Sequence, residues 1–205
     1  MRNVKPGQSK PIVCLDAGHY GKYNRSPAVP EYYESEMNWK LHNYLATELE
    51  GYGIQVKKTR TEQAKDLELY PRGAASKGCD LFLSIHSNAP GSATSPEAYH
   101  AVRGSEVYYS LADEPRNAEI ARALNAAVVT TMNTTDRGIK TRSYPDQPEI
   151  DYYGVLRHSA AYGCPTAFII EHGFHTNPED AAFLTNDECL QRLAEAEAEV
   201  IDRVL

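Results

Sequence analysis

The sequence predicts an α/β fold built on a largely parallel, helix-covered sheet in a single domain. Three observations point there. Short continuous apolar runs (Ile12-Val13-Cys14-Leu15, Leu81-Phe82-Leu83-Ser84-Ile85 and Ala167-Phe168-Ile169-Ile170) have the length and character of strands covered on both faces. Stretches with apolar residues at helical spacing separate these runs, and that alternation implies a parallel sheet. A chain of 205 residues is long enough for one sizeable α/β domain and short for two.

The first strand is expected over 11–16. Residues 20–33 are rich in Gly, Pro, Asn and Tyr and read as loop. A helix follows over 35–51, where Met37, Leu41, Tyr44, Leu45 and Leu49 form one apolar face. Gly51 and Gly53 are its stop signals. Alternation over 54–60 reads as a second strand. A helix is expected over 66–77, with Pro71 near its start or kinking it. The third strand spans 80–86, and 89–104 is surface loop. A strand over 106–110 precedes a helix over 114–132, marked by Ile120, Leu124, Ala127 and Val128. Residues 133–147 read as loop and 154–157 as another short strand. The last strand covers 166–171, and helices over 178–183 and 187–204 close the chain. Residues 1–10 are polar and are expected to be disordered or extended, leaving 11–205 as the domain.

Composition narrows the partners. Twenty-one Lys and Arg against 28 Asp and Glu give a net charge of −7, which argues against nucleic acid, because phosphate binding needs a basic face. No apolar run approaches the length of a transmembrane helix. The first ten residues hold no apolar core of a secretory signal. Cys14, Cys79, Cys164 and Cys189 form no C-x-x-C pair and read as small buried hydrophobes rather than thiolate ligands or a disulfide framework.

Each apolar run leads to a chemically able side chain: His19, His86 and Glu171. In parallel sheets ligands bind outside the strand carboxyl ends, so these three are expected at one edge of one sheet. Hydrolytic zinc commonly takes three protein ligands and keeps a fourth position for water. His19 and His86 supply two imidazoles. The third ligand should be a nearby carboxylate or histidine, and Glu34 qualifies at the junction of the tyrosine-rich loop and the first long helix. Glu36 competes, but about 200° of helical rotation separates the two. Glu171 is the candidate general base beside the metal, and Asn88 the candidate substrate-binding residue. The alternative is that each His is an ordinary hydrogen-bonded structural residue. His42 reads as structural or solvent-facing, and His100 and His158 carry no spacing signal. His172 and His175 read as lining or exposed rather than ligating. Tyr20, Tyr23, Tyr32 and Tyr33 form either a stacking surface for sugar or peptide or an ordinary tyrosine-rich surface.

These segments, taken in order, resemble the zinc-dependent N-acetylmuramoyl-L-alanine amidases of the Amidase_3 type. The opening motif is Val13-Cys14-Leu15-Asp16-Ala17-Gly18-His19, followed by Glu34-Ser35-Glu36-Met37-Asn38, then Arg72 with Ala74-Ala75. Ser84-Ile85-His86-Ser87-Asn88-Ala89 is similar to the second histidine motif, and Asp136-Arg137-Gly138-Ile139-Lys140 and Val155-Leu156-Arg157 to later signatures. The run from Ile170-Glu171 to Glu179-Asp180 is similar to the segment carrying the catalytic glutamate. Ala17 stands where proline is frequent, Ser35-Glu36 replaces a commoner Lys-Asp, and His172 and His175 occupy positions often apolar or small.

The resemblance implies a twisted, mainly parallel sheet flanked by helices on both faces. It implies one Zn2+ held by His19, Glu34 and His86, with Glu171 as base and proton shuttle. The implied substrate is peptidoglycan, cleaved at the amide between the lactyl group of N-acetylmuramic acid and the L-alanine of the stem peptide. Rival readings are a zinc peptidase or deacetylase acting on another amide, and a non-catalytic wall-binding module. The expected site of action is the bacterial cell wall. Without a signal peptide the protein is expected to stay cytoplasmic until released, as a phage endolysin or a mother-cell lytic enzyme, or else to be a catalytic domain trimmed from a longer protein.

Overall fold

Strands and helices alternate through the chain in the computed structural model, which describes residues 9–91 and 95–205. The first half contains β1 (Ile12–Ala17), α1 (Glu34–Gly51), β2 (Gln55–Lys58), α2 (Leu69–Ala74), β3 (Leu81–Asn88), a single turn α3 (Pro96–Tyr99) and β4 (Ser105–Tyr109). The second contains α4 (Glu114–Met132), β5 (Asp136–Lys140), β6 (Ser143–Tyr144), β7 (Gln147–Asp151), α5 (Gly154–Ala161), β8 (Ala167–Phe174), α6 (Pro178–Thr185) and α7 (Asp187–Val204). Six strands form one sheet in the order β2-β1-β3-β8-β4-β5, and β6 and β7 form a separate hairpin. Among the described residues, only the β4–β8 pairing in the large sheet is antiparallel.

Side chains alternate across the sheet with period two, and the two faces bury different partners. Val13, Leu15, Leu81, Leu83, Ile85, Phe168 and Ile170 enter the larger core with Leu41, Leu45 and Leu49 of α1, Leu124 of α4 and Leu193 of α7. Cys14, Phe82, Ala167 and Ile169 enter a smaller core with Val155 and Leu156 of α5. Each fully buried leucine contributes about 1.5–3 kcal/mol by leaving water. Continuing the alternation puts Asp16, Ser84, His86 and Glu171 on the small-core side and His172 on the large-core side.

Four segments differ from the sequence expectation. Residues 154–157 open helix α5 rather than forming a strand. Val155 and Ser159, four apart, are both buried there, whereas a short apolar run fits either state by pattern alone. Residues 133–147, expected as loop, contain β5 and the start of the β6–β7 hairpin. β5 is the sheet's edge strand, so its exposed, charged residues hide the usual apolar signature. The helix expected over 66–77 shrinks to α2, with Pro71 in its first turn, where a missing N–H goes unnoticed. Within the expected loop 89–104, Ser95 caps the single turn α3, while 92–94 lie outside the described residues. The expectation for 1–10 likewise falls, through residue 8, outside the described residues. Among the described residues no helix is long and apolar enough to cross a membrane.

Candidate metal centre

The parallel register joins the three apolar runs. Ala17 aligns with Ile85, Ile85 with Ile170, and His86 with Glu171, so the expected strand ends meet at one edge. The turn after β1 is tightly built. Gly18 N–H donates to the Ile85 carbonyl at 3.0 Å. A Cβ on Gly18 would lie 2.2 Å from His86 Cε1, so the imidazole packs on bare backbone.

His19 has φ 57°, a left-handed conformation that costs a non-glycine residue roughly 1–2 kcal/mol. Two guanidinium groups hold that turn. Arg72 donates to the carbonyls of Ala17 (2.8 Å) and His19 (3.2 Å), and Arg60 donates to the same two oxygens. Asp16 neutralises Arg72 at 2.9 Å and also accepts from Thr59 and Ser84, each at 2.7 Å. Burial alone would raise the Asp16 carboxyl pKa, but Arg72 and these hydroxyls hold it below its usual value.

Glu34 is the first residue of α1 and is buried. Its carboxylate lies 3.0 Å from His86 Nδ1 and 3.3 Å from His19 Nε2, and accepts from Ser87 N–H at 3.1 Å and Asn24 Nδ2 at 2.5 Å. Burial opposes its charge, yet the hydrogen bonds and charge of His19 and His86 hold its pKa well below the ordinary carboxylate value. The ligand atoms of His19, Glu34 and His86 all lie within 4.8 Å of one another. Two imidazoles and a carboxylate converging at this spacing fit a divalent transition metal, zinc in particular.

Glu171 faces this cluster from β8. Its Oε2 is buried and has no hydrogen-bond partner. Desolvation first, then the charges of Glu34 and Glu106, push its pKa well above the usual range. Glu106 is tied down by Arg137 and Lys140, whose bonds overcome its burial and lower its pKa. The cluster opens into a cleft of about 450 Å³ lined by His19, Tyr23, His86, Glu171, Leu69 and Tyr153, among others.

His19, Glu34, His86 and Glu171 therefore come together, and Glu36 does not join them. Asn88 donates to Glu106 at 3.0 Å and accepts from Ala89 N–H, so its side chain is engaged within the protein. The tyrosine-rich loop divides: Tyr23 stacks on His19 at 4.5 Å and stays exposed, as does Tyr20, whereas Tyr32 is buried against Ser87. His42 is buried on the Trp39 carbonyl, and burial lowers its pKa to about 4. His100 donates to the Thr176 carbonyl, and His158 packs edge-on to Tyr70. His172 and His175, expected to be lining or exposed, are both buried. Sequence reasoning missed the supporting roles of Asp16, Arg60, Asn24 and Glu106. Asp16 carried the one available signal, an acid inside an apolar strand.

A profile of the N-acetylmuramoyl-L-alanine amidase family matches residues 13–203. The chain is 27% identical over 186 residues to the N-acetylmuramoyl-L-alanine amidase LytC of Bacillus subtilis (strain 168), covering 90% of this chain and 33% of LytC. It is 28% identical over 199 residues to the endolysin of Bacillus phage SPP1, covering 95% of this chain and 66% of that protein. The solved structure of an N-acetylmuramoyl-L-alanine amidase from Clostridium difficile 630 superposes with a TM-score of 0.77 at 26% identity, covering 95% and 96% of the two chains. The chain thus spans about a third of LytC and two thirds of the endolysin.

Proposed function

The chain belongs to the Amidase_3 family of N-acetylmuramoyl-L-alanine amidases, and from that premise we propose that His19, Glu34 and His86 hold one Zn2+ for which Glu171 is the general base. The enzyme is a peptidoglycan hydrolase that cleaves the amide between N-acetylmuramic acid and the L-alanine of the stem peptide. The convergence of three ligand atoms within 4.8 Å, opposite an unpartnered carboxyl on the register partner of His86, carries the metal and base assignments. Zinc bound there would supply Lewis acidity, lowering the pKa of water and polarising the scissile carbonyl.

The chain's own groups then handle protons and position. Glu171 takes a proton from the attacking water as the new C–O bond forms. It delivers that proton to the amide nitrogen as the C–N bond breaks. The second proton of the water follows to the same nitrogen, so the products are the lactyl carboxylate and a free L-alanine ammonium, and Glu171 is regenerated. A base whose pKa is raised above the ordinary carboxylate range suits this two-way transfer. Asn88 bonds Glu106, the cross-strand partner of Glu171, and the second N–H of its amide is assigned to substrate binding. The site of action is the bacterial cell wall, and likeness to the SPP1 endolysin supports the finer reading of a lytic enzyme of phage or mother-cell type.

The test is a digest of purified sacculi by the zinc-loaded protein, with products read by mass spectrometry. New L-alanine N-termini with no new reducing sugar ends are expected, abolished by a chelator and restored by zinc. New reducing ends without freed amine would sink the amidase reading. Cleavage at another amide would favour the peptidase or deacetylase, and wall binding without turnover the non-catalytic module.

A further inference from the structure

His172 and Glu197 form a fully buried pair that the proton chemistry above does not use. His172 Nε2 lies 2.6 Å from Glu197 Oε1, and neither side chain is exposed to solvent. The other ring nitrogen, Nδ1, lies 3.1 Å from the backbone carbonyl of His86. A carbonyl only accepts, so Nδ1 is the donor in that bond, and Nε2 faces the Glu197 carboxyl.

The bond to His86 sits where the β3–β8 ladder is irregular. From the His86–Glu171 pair to the Asn88–Phe174 pair, β3 advances two residues and β8 three. The additional residue lies next to Gly173, whose φ is 135°. A Cβ on Gly173 would approach Met132 and Asp180 at 3.0 and 3.2 Å, so the irregularity is fitted closely to its surroundings. Bulges of this kind re-aim side chains beside functional sites.

Burying such a pair is a poor way to gain stability, because apolar side chains of similar volume do as well or better. Glu197 Oε2 even remains without a partner. What the pair does provide is an anchor. Glu197 belongs to α7, which packs on α1, and α1 begins with Glu34. We infer that Glu197 and His172 are positioning residues for the metal centre: they lock the His86 carbonyl at the bulge and so fix the direction of the His86 imidazole, while Glu171 leaves β8 on the face opposite His172. The inference rests on the zinc reading above.

The test measures zinc affinity by chelator competition, with thermal stability of the metal-free protein as a parallel readout. The H172L/E197L variant removes both polar groups and leaves no buried charge. Its metal-free stability should equal or exceed wild type, while its Kd for zinc rises about 10–100-fold, the range for lost outer-shell support. H172N/E197L keeps an N–H donor for the His86 carbonyl and should recover most of that loss. Wild-type zinc affinity in H172L/E197L, or equal loss in both variants, would overturn the inference. If H172L/E197L does not fold, 15N-histidine NMR of the wild-type protein decides: the His172 ring signals must shift when zinc is added, and unchanged signals overturn it. Failure of the wild-type protein to bind zinc would instead overturn the parent reading.

Discussion

Glu106 stands directly across from Glu171 in the antiparallel β4–β8 ladder, and the two carboxyls are driven in opposite directions. Arg137 and Lys140 neutralise Glu106 and lower its pKa, while Glu171 keeps an unpartnered oxygen and a raised one. Environments that push two neighbouring acids apart mark which one moves protons.

Glu106→Gln should therefore make Glu171 more acidic. The substitution removes a negative charge that disfavours Glu171 ionisation and frees Lys140, which favours it. A general base is active when deprotonated, so the rising acidic limb of kcat/KM should move to lower pH. A limb that stays in place, or moves up, would show that Glu106 does not set the Glu171 pKa. The measurement is a pH profile on a soluble muramoyl peptide.

The division of labour between Glu171 and His86 gives a sharper contrast. Glu171→Gln keeps the shape of the site and removes the base. Zinc content should be unchanged and kcat should fall about 10²-fold or more, as expected for a lost general base. His86→Ala removes one of three converging ligand atoms and should lose the metal. Elemental analysis separates the two outcomes. Full zinc occupancy in His86→Ala would exclude ligation, and wild-type turnover in Glu171→Gln would exclude the base role.

The strands that carry the site were legible in the sequence because they are buried on both faces, which leaves nearly continuous apolar runs in β1, β3 and β8. Edge strand β5 has no such run, since exposure allows Asp136, Arg137 and Lys140, and its chemistry reads as loop. Glu34 was legible as the boundary of a strongly periodic helix. The partners of Asp16 were not: Arg72 and Thr59 lie 56 and 43 residues away, and only folding brings them to one carboxylate. His172 was misread because strand alternation, which sends it into the large core opposite Glu171, becomes usable only once the strand's faces are known.

Arg72 should matter for stability as well as for the site. Arg72→Met would leave Asp16 as a buried charge without its cation, a change that costs about 3–5 kcal/mol when one partner of a buried pair is removed. The Asp16 pKa is depressed in the folded protein, so its contribution is present above the unfolded carboxylate value and is lost as pH falls through the folded one. The deficit of Arg72→Met relative to wild type should thus be largest near pH 7 and narrow toward pH 4, where the variant's Asp16 can take a proton. Urea unfolding at several pH values gives both numbers. A deficit independent of pH would mean that Arg72 acts through its carbonyl bonds alone.

Two glycines of the same loop should respond in opposite ways. Gly18 lacks a left-handed backbone, so alanine is tolerated by the chain, but its Cβ would sit 2.2 Å from His86 Cε1. The imidazole must move, and zinc affinity should fall on the order of 10-fold or more, the scale of a disturbed ligand orientation. Gly21 has φ 57°, and a methyl group added there would meet nothing within 4 Å, so its constraint is conformational. Gly21→Ala should cost roughly 1–2 kcal/mol of stability through the left-handed strain and leave zinc affinity near wild type. Chelator competition and urea unfolding on both variants read the two axes separately. Retained zinc affinity in Gly18→Ala would mean that the His86 ring has room the packing denies, and the close seat of imidazole on backbone would no longer explain why glycine precedes His19.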